Sequence, residues 1–108
     1  MTDTILQHFE LHVLLAMLRE KGETYSVPLV LALEARTGRP VAPAAVFIAL
    51  KRLERKGLVS SRLDRSDAGR PRRYFKVTRQ GIAAVETSHA EHVRLWQGLG
   101  RRFRTRKA

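Results

Sequence analysis

The sequence predicts a mainly α-helical fold with one small β-hairpin, followed by a last helix that joins two subunits. A helical pattern of apolar residues ends in the basic segment 50–56, and Gly57 follows it. Two strand-like segments, 58–63 and 73–77, flank an arginine-rich turn, and a further helical stretch follows Thr78. A helix followed by a two-stranded wing is the order of a winged helix-turn-helix domain. We therefore expect this domain in residues 1–78, a dimerisation helix in 79–100 and a basic tail in 101–108.

The first helix is predicted between Ile5 and Arg19, and its apolar surface extends almost all the way around the helix. One face carries Phe9, Val13, Ala16 and Met17, and the stripe is widened by Leu11, Leu14, Leu15 and Leu18. Since such a helix must be covered on two sides, we expect its own domain to cover one side and a second subunit to cover the other.

The second and third helices have recognisable start and stop residues. Ser26 is the expected N-cap of the second helix, with Pro28 in its first turn, and Gly38 is expected to end it in the left-handed conformation. Pro43 suits the first position of the third helix. The core face of this helix is expected to follow the i, i+3, i+4, i+7 spacing of Val46, Ala49, Leu50 and Leu53.

Positive charge is concentrated between Lys51 and Arg79. The chain has a formal charge of +11, and this segment holds eleven lysines and arginines against three acids, which makes +8. A polyanion is the natural partner of such a segment, because each neutralised phosphate releases condensed counterions. A basic face that only keeps the protein soluble is the alternative for a charge run taken alone, but the coincidence with a wing favours DNA.

The outer face of the third helix is the expected groove-reading surface. Its candidate DNA contacts are Ala44, Phe47, Ile48, Lys51 and Arg52, with Arg55 and Lys56 nearby. Phe47 and Ile48 have two interpretations at this stage: they contact thymine methyl groups or sugars, or they are buried against the first helix or the wing.

The wing follows from alternation along its two strands. Val59 and Leu63 are expected to point inward on the first strand, with Phe75 and Val77 inward and Tyr74 and Lys76 outward on the second. Gly69 is expected to allow the tight turn. Phosphates or the minor groove would be met by Arg70, Arg72 and Arg73. A hairpin with a merely basic turn is the competing interpretation.

The last helix is expected to make the dimer. Thr78 is its expected N-cap, and a heptad seam runs through Ile82, Val85, His89, His92, Trp96 and Leu99. Three heptads are too few to stand alone, so we expect the seam to pack on the partner's first helix and add Phe9 and Val13 to the interface. The tail carries further basic residues, with phosphate contact as a candidate role: Arg101, Arg102, Arg104, Arg106 and Lys107.

The same sequence argues against enzymatic, metal-binding and membrane roles. The 108 residues leave room for one domain and none for a separate substrate domain. The absence of cysteine excludes disulfides and thiolate metal sites, and it fits the cytoplasm. The apolar run 11–18 is too short to cross a bilayer, and no basic segment precedes it as in a signal peptide. We therefore expect a cytoplasmic protein without a membrane anchor.

Histidine pairs at ligand-compatible spacing occur twice, as His8 with His12 and as His89 with His92. No cysteine or carboxylate constellation completes either pair. We expect no catalytic residue, metal or cofactor.

Three stretches of the chain resemble the PadR family of winged-helix transcriptional regulators: 9–14 (FELHVL), 50–59 (LKRLERKGLV) and 69–81 (GRPRRYFKVTRQG). The similarity covers roughly residues 5–97, and the wing segment is its most specific part. It implies a homodimeric repressor on a pseudo-palindromic operator, released by a small molecule or another signal. Two positions depart from the family pattern, because Phe47 replaces a usual tyrosine and Ala42 or Pro43 replaces a frequent hydroxyl residue.

The sequence therefore predicts a sequence-specific DNA-binding regulator that acts as a homodimer, with an effector still unknown. One rival is a basic protein that binds nucleic acid without sequence preference, as nucleoid or RNA-associated proteins do. Another is a winged helix that binds only proteins. The first rival would have little preference for one DNA site, and the second would have no salt-dependent DNA affinity.

Overall fold

The computed structural model describes residues 6–65 and 70–100. Along these parts of the chain the elements follow one another as α1 (His8–Arg19), α2 (Ser26–Thr37), α3 (Pro43–Arg55), β1 (Val59–Asp64), β2 (Arg72–Val77) and α4 (Arg79–Trp96). The predicted mainly α-helical fold with one small β-hairpin is confirmed: helices enclose the core, and the two strands form an antiparallel hairpin. None of the described helices is both long enough and apolar enough to span a membrane.

The starts of the first two helices differ from the prediction. Helix α1 begins at His8 and not at Ile5, because Gln7 and Glu10 form a capping box at its N-terminus. Ser26 is the first residue of α2 rather than its N-cap, and Tyr25 takes the cap position without a side-chain hydrogen bond.

Helix α3 agrees closely with its sequence pattern. It begins at Pro43, and its buried residues are Val46, Ala49, Leu50 and Leu53. Gly38 and Gly57 adopt the left-handed conformation, with φ of 72° and 78°, and these end the helices before them. Buried side chains of α1, α2, α3 and the hairpin complete one core, and the fully buried ones include Val13, Leu14, Leu29 and Phe75.

The hairpin register decides which wing residues share a face. Val59 pairs with Val77, Ser61 with Phe75, and Leu63 with Arg73. Val59 and Phe75 are buried as predicted. Leu63 was predicted to point inward to the core but is 40% exposed, because its pair with Arg73 lies nearer the wing tip, beyond the buried end of the hairpin.

A third chain segment joins the hairpin. The backbone N–H of Thr24 donates to Phe75 O at 3.0 Å, and Phe75 N–H donates to Thr24 O at 2.7 Å. The segment between α1 and α2 therefore covers the free edge of β2. No pattern in the sequence indicated this pairing.

Helix α4 is attached to the turn after α3 by its predicted N-cap. Thr78 Oγ1 accepts from Gly81 N at 3.1 Å and donates to Gly57 O at 2.7 Å. Gly81 is buried there, and a Cβ at this position would collide with the Leu58 carbonyl and with Val77 Cγ1. The close approach of α4 to Leu58 thus requires a glycine.

Candidate nucleic-acid interface

The outer face of α3 combines exposed apolar and basic side chains. Phe47 is 45% exposed and Ile48 is 52% exposed, so the interpretation that both are buried against α1 or the wing is wrong. The exposed residues of this face include all five candidate contacts on the helix: Ala44, Phe47, Ile48, Lys51 and Arg52. Since the opposite face of α3 is the core, this amphipathic helix presents a defined surface to a partner.

A chain of polar contacts joins α3 to the wing. Lys51 Nζ lies 3.6 Å from Glu54 Oε1. Glu54 Oε2 accepts from Ser61 Oγ at 2.6 Å, and Ser61 Oγ accepts in turn from Arg73 Nη1 at 3.0 Å. Glu54, in the last turn of α3, therefore contacts Lys51 and is connected to Arg73 through the Ser61 hydroxyl.

The candidate wing arginines do not share one face. Arg73 lies on the same face of the hairpin as Ser61 and Phe75, whereas Arg72 alternates to the opposite face. There the Arg72 guanidinium carbon lies 4.3 Å from the centroid of the Tyr25 ring, a cation–π contact. Arg70 is exposed. The predicted Gly69 turn and the basic tail lie outside the described residues.

Arg62, counted in the sequence as part of the basic segment, belongs to an ionic cluster. Its guanidinium donates to both carboxylate oxygens of Glu23 at 2.6–3.0 Å and lies 3.4 Å from Asp64 Oδ2. The hydrogen bond from Arg62 holds the pKa of Glu23 below its usual value, and the same bond raises the pKa of Arg62. The ring of Tyr74 lies 5.2 Å from this guanidinium. Arg62 therefore braces the wing against the segment after α1.

A buried ion pair joins the C-terminal end of α3 to α1. Glu10 of α1 is only 2% exposed, and its Oε1 accepts from Lys56 Nζ at 2.6 Å and from Gln7 N at 2.9 Å. Glu10 Oε2 is buried and finds no hydrogen-bond partner among the described residues. This pair was not predicted from the sequence, although a glutamate inside an otherwise apolar helix was a signal that could have revealed it.

The proposed dimer residues occupy different environments in the subunit. Val13 is fully buried, so its side chain has no surface to offer a partner, and that part of the prediction is wrong. Phe9 and Val85 are half-buried against the core. The exposed members are Ile82, His89, His92, Trp96 and Leu99. On α1 and α4, the exposed large apolar residues that the predicted seam did not include are Leu15, Leu18, Val93 and Leu95.

A groove of about 520 Å³ runs between α1 and α4, and all four histidines of the chain line it. The His8 and His12 rings are 4.7 Å apart between centroids, and His92 lies 5.8 Å from Trp96. Burial, followed by the nearby charges of His8 and Arg39, lowers the pKa of His12 below its usual value. Within 6–65 and 70–100, no three histidines or acids are arranged to hold a metal ion.

Solved structures share this fold. A PadR-like transcription factor from Bacteroides fragilis has a TM-score of 0.73 at 22% identity, covering 86% of this chain and 87% of its own. A PadR family regulator from Eggerthella lenta has a TM-score of 0.69 at 26% identity, covering 88% and 87%. RosR of H. salinarum has a TM-score of 0.69 at 22% identity, covering 94% and 87%. No curated protein sequence matches the chain.

The sequence itself matches a protein family over most of the winged domain. The profile of the transcriptional regulator PadR-like family aligns with residues 14–87, from α1 through the wing into α4. The family consists of transcriptional regulators and not of enzymes. The aligned segment contains α3 and both strands of the wing, the elements that carry the candidate interface. This chain belongs to the PadR-like family of DNA-binding transcriptional regulators.

Proposed function

We propose that the protein is a homodimeric repressor that binds a pseudo-palindromic site in double-stranded DNA, with α3 in the major groove and the wing on the flanking backbone. The observation that carries the proposal is the outer face of α3, where half-exposed Phe47 and Ile48 lie beside exposed Lys51 and Arg52. Apolar side chains suit thymine methyl groups, and lysine and arginine suit guanine edges or phosphates.

Each group of residues has a distinct role in this proposal. Ala44, Phe47 and Ile48 contact thymine methyl groups or sugars, while Lys51 and Arg52 reach bases or phosphates. Arg70, Arg72 and Arg73 contact the backbone beside the groove. Because backbone contacts carry little sequence information, discrimination between sites rests on the helix and affinity rests largely on the wing.

Selection of duplexes from a random library, followed by titrations at several salt concentrations, tests the DNA-binding part. Lys51→Ala should cost about 1–3 kcal/mol more on the selected duplex than on a scrambled one, if Lys51 reads a base. Arg70→Ala should weaken binding to both duplexes equally and lower the slope of log affinity against log salt concentration by about one unit. Arg94→Ala removes the same charge from exposed α4 and should change neither.

Two outcomes would contradict the proposal. Equal affinity for the selected and scrambled duplexes would favour the rival function, binding of nucleic acid without sequence preference. No salt-dependent DNA binding at all would favour a protein-interaction module.

The homodimer is supported by apolar surface on α1 and α4. Leu15 of α1 is 43% exposed, and Leu95 and Trp96 of α4 are 75% and 51% exposed. A cluster of large exposed apolar side chains on two adjacent helices is unusual for a monomer. A two-fold dimer through these helices would present two copies of α3 to two half-sites.

Sedimentation equilibrium tests the dimer. Leu15→Glu and Leu95→Glu should each shift the protein toward monomer while the helical circular dichroism is kept. Leu31→Glu is the matched control, because Leu31 of α2 is 61% exposed but lies on another helix. Dimers that survive both α1 and α4 variants would refute this interface.

The last part of the proposal is that a small molecule releases the repressor from DNA. The groove between α1 and α4 supports this part, since aliphatic side chains and four histidines line it and it adjoins the proposed subunit contact. Trp96 is the single tryptophan and lies beside His92, so its fluorescence should report a ligand entering there.

A further inference from the structure

The glutamate in the last turn of α3 stands out because it is an acid between two basic DNA-contact candidates. Glu54 is 33% exposed and Lys51 is 45% exposed, with 3.6 Å between their charged groups. An acid on a DNA-facing surface repels phosphates, so its presence there weakens general affinity. Some compensating role is therefore expected of this side chain.

The two oxygens of Glu54 serve two different elements. Oε1 faces Lys51 on the same helix, and Oε2 accepts at 2.6 Å from Ser61 Oγ on β1. Ser61 Oγ has its proton committed to this carboxylate, so its lone pairs remain available as acceptors. Arg73 Nη1 of β2 donates to that oxygen at 3.0 Å. A short hydrogen bond to an ionised acceptor is stronger than a neutral one.

We propose that Glu54 is a positioning and specificity-determining residue that holds Lys51 of α3 and, through Ser61, Arg73 of the wing in one polar relay, so that helix and wing engage DNA together. This inference rests on the proposed function. A wing that moves independently of the helix could contact phosphates in many registers. A wing tied to the helix contacts them well only when the helix fits the bases.

The relay also limits binding to the wrong sequences. With Glu54 ionised, the charges of Lys51 and Arg73 are partly compensated until phosphates approach in the geometry that the relay sets. Loss of the carboxylate would release both cations to adjust to any backbone. Affinity for random DNA should then rise while the preference for the selected site falls.

A double-mutant cycle measures the relay directly. Affinities for a random-sequence duplex and for the duplex selected by the wild-type protein are determined for Lys51→Ala, Arg73→Ala and the double variant. In the wild-type background the two losses should be non-additive by about threefold, because the residues share Glu54. In the Glu54→Gln background the same cycle should be additive.

Three single variants separate the relay from general effects. Glu54→Gln should raise the affinity for random DNA several-fold and reduce the ratio of selected to random affinity. Glu86→Gln removes the same charge from the exposed surface of α4 and should leave that ratio unchanged. Ser61→Ala breaks only the link to Arg73 and keeps the contact between Lys51 and Glu54. It should therefore abolish the non-additivity.

The outcomes are distinguishable. Saturable DNA binding with additive losses in the wild-type background, or non-additivity that persists in both Glu54→Gln and Ser61→Ala, would overturn the relay alone. A protein with no DNA binding would overturn the proposed function and the relay together. Circular dichroism at the titration temperature confirms that each variant is folded.

Discussion

Removing either partner of the buried Glu10–Lys56 pair should strongly destabilise the folded protein. Lys56→Met keeps the aliphatic part of the side chain but leaves the Glu10 carboxylate without its cation. Glu10 is 2% exposed and already has one oxygen without a described hydrogen-bond partner, so water offers little compensation. The loss of stability therefore comes mainly from one buried carboxylate that has no cation beside it.

The expected magnitude follows from burial. Breaking a buried ion pair by removing one partner costs about 3–5 kcal/mol. The Lys56 side chain is 16% exposed, which places the expected loss near the lower end, at about 3 kcal/mol. That is a large share of the roughly 5–15 kcal/mol by which domains are stable.

Urea denaturation followed by circular dichroism, at one fixed protein concentration, measures the loss. The double variant Glu10→Gln/Lys56→Met should regain about 1–2 kcal/mol, because glutamine removes the buried charge and can still accept from Gln7 N in the capping box. Lys51→Met is the control, and its partly exposed pair should cost less than about 1 kcal/mol. A double variant no more stable than Lys56→Met would refute the reasoning.

Three further outcomes are expected. Gly81→Ala should lose about 1–3 kcal/mol in urea denaturation, because its new methyl group meets the turn after α3. The stability difference between wild type and Glu23→Gln should be present above about pH 4.5 and shrink as pH falls below it, because the bond from Arg62 lowers the folded pKa of Glu23. Wild type should lose stability as pH falls below about 6.5, and His12→Gln should lose less, because burial lowers the folded pKa of His12 and the unfolded chain takes up that proton first.

Each of these has its own check. Gly100→Ala, where a Cβ would meet nothing within 4 Å, should leave stability unchanged, and an equal loss there would remove the steric explanation for Gly81. A Glu23→Gln difference that is constant from pH 6 to pH 3 would show that the ion pair contributes nothing. Identical pH profiles of wild type and His12→Gln would assign the acid sensitivity to other groups.

Local patterns in the sequence were sufficient for the order of the helices and strands and for the core face of α3, but not for the starts of α1 and α2. Pro43, Gly38 and Gly57 mark helix ends through backbone conformation, which is a property of the residue itself. The 3.6-residue period of apolar side chains identified the buried face, and the period of two identified the buried strand residues Val59 and Phe75. The motifs around the wing also identified the family.

Tertiary structure alone decided which charges are available to a partner. The sequence counts Arg62, Arg72 and Arg73 as equivalent basic residues, but their partners lie 39, 47 and 12 positions away, at Glu23, Tyr25 and Ser61. Contacts over such separations depend on strand register and helix packing, which no local pattern contains. The same holds for Val13, since a wide apolar stripe does not show which of its side chains the subunit's own core will bury.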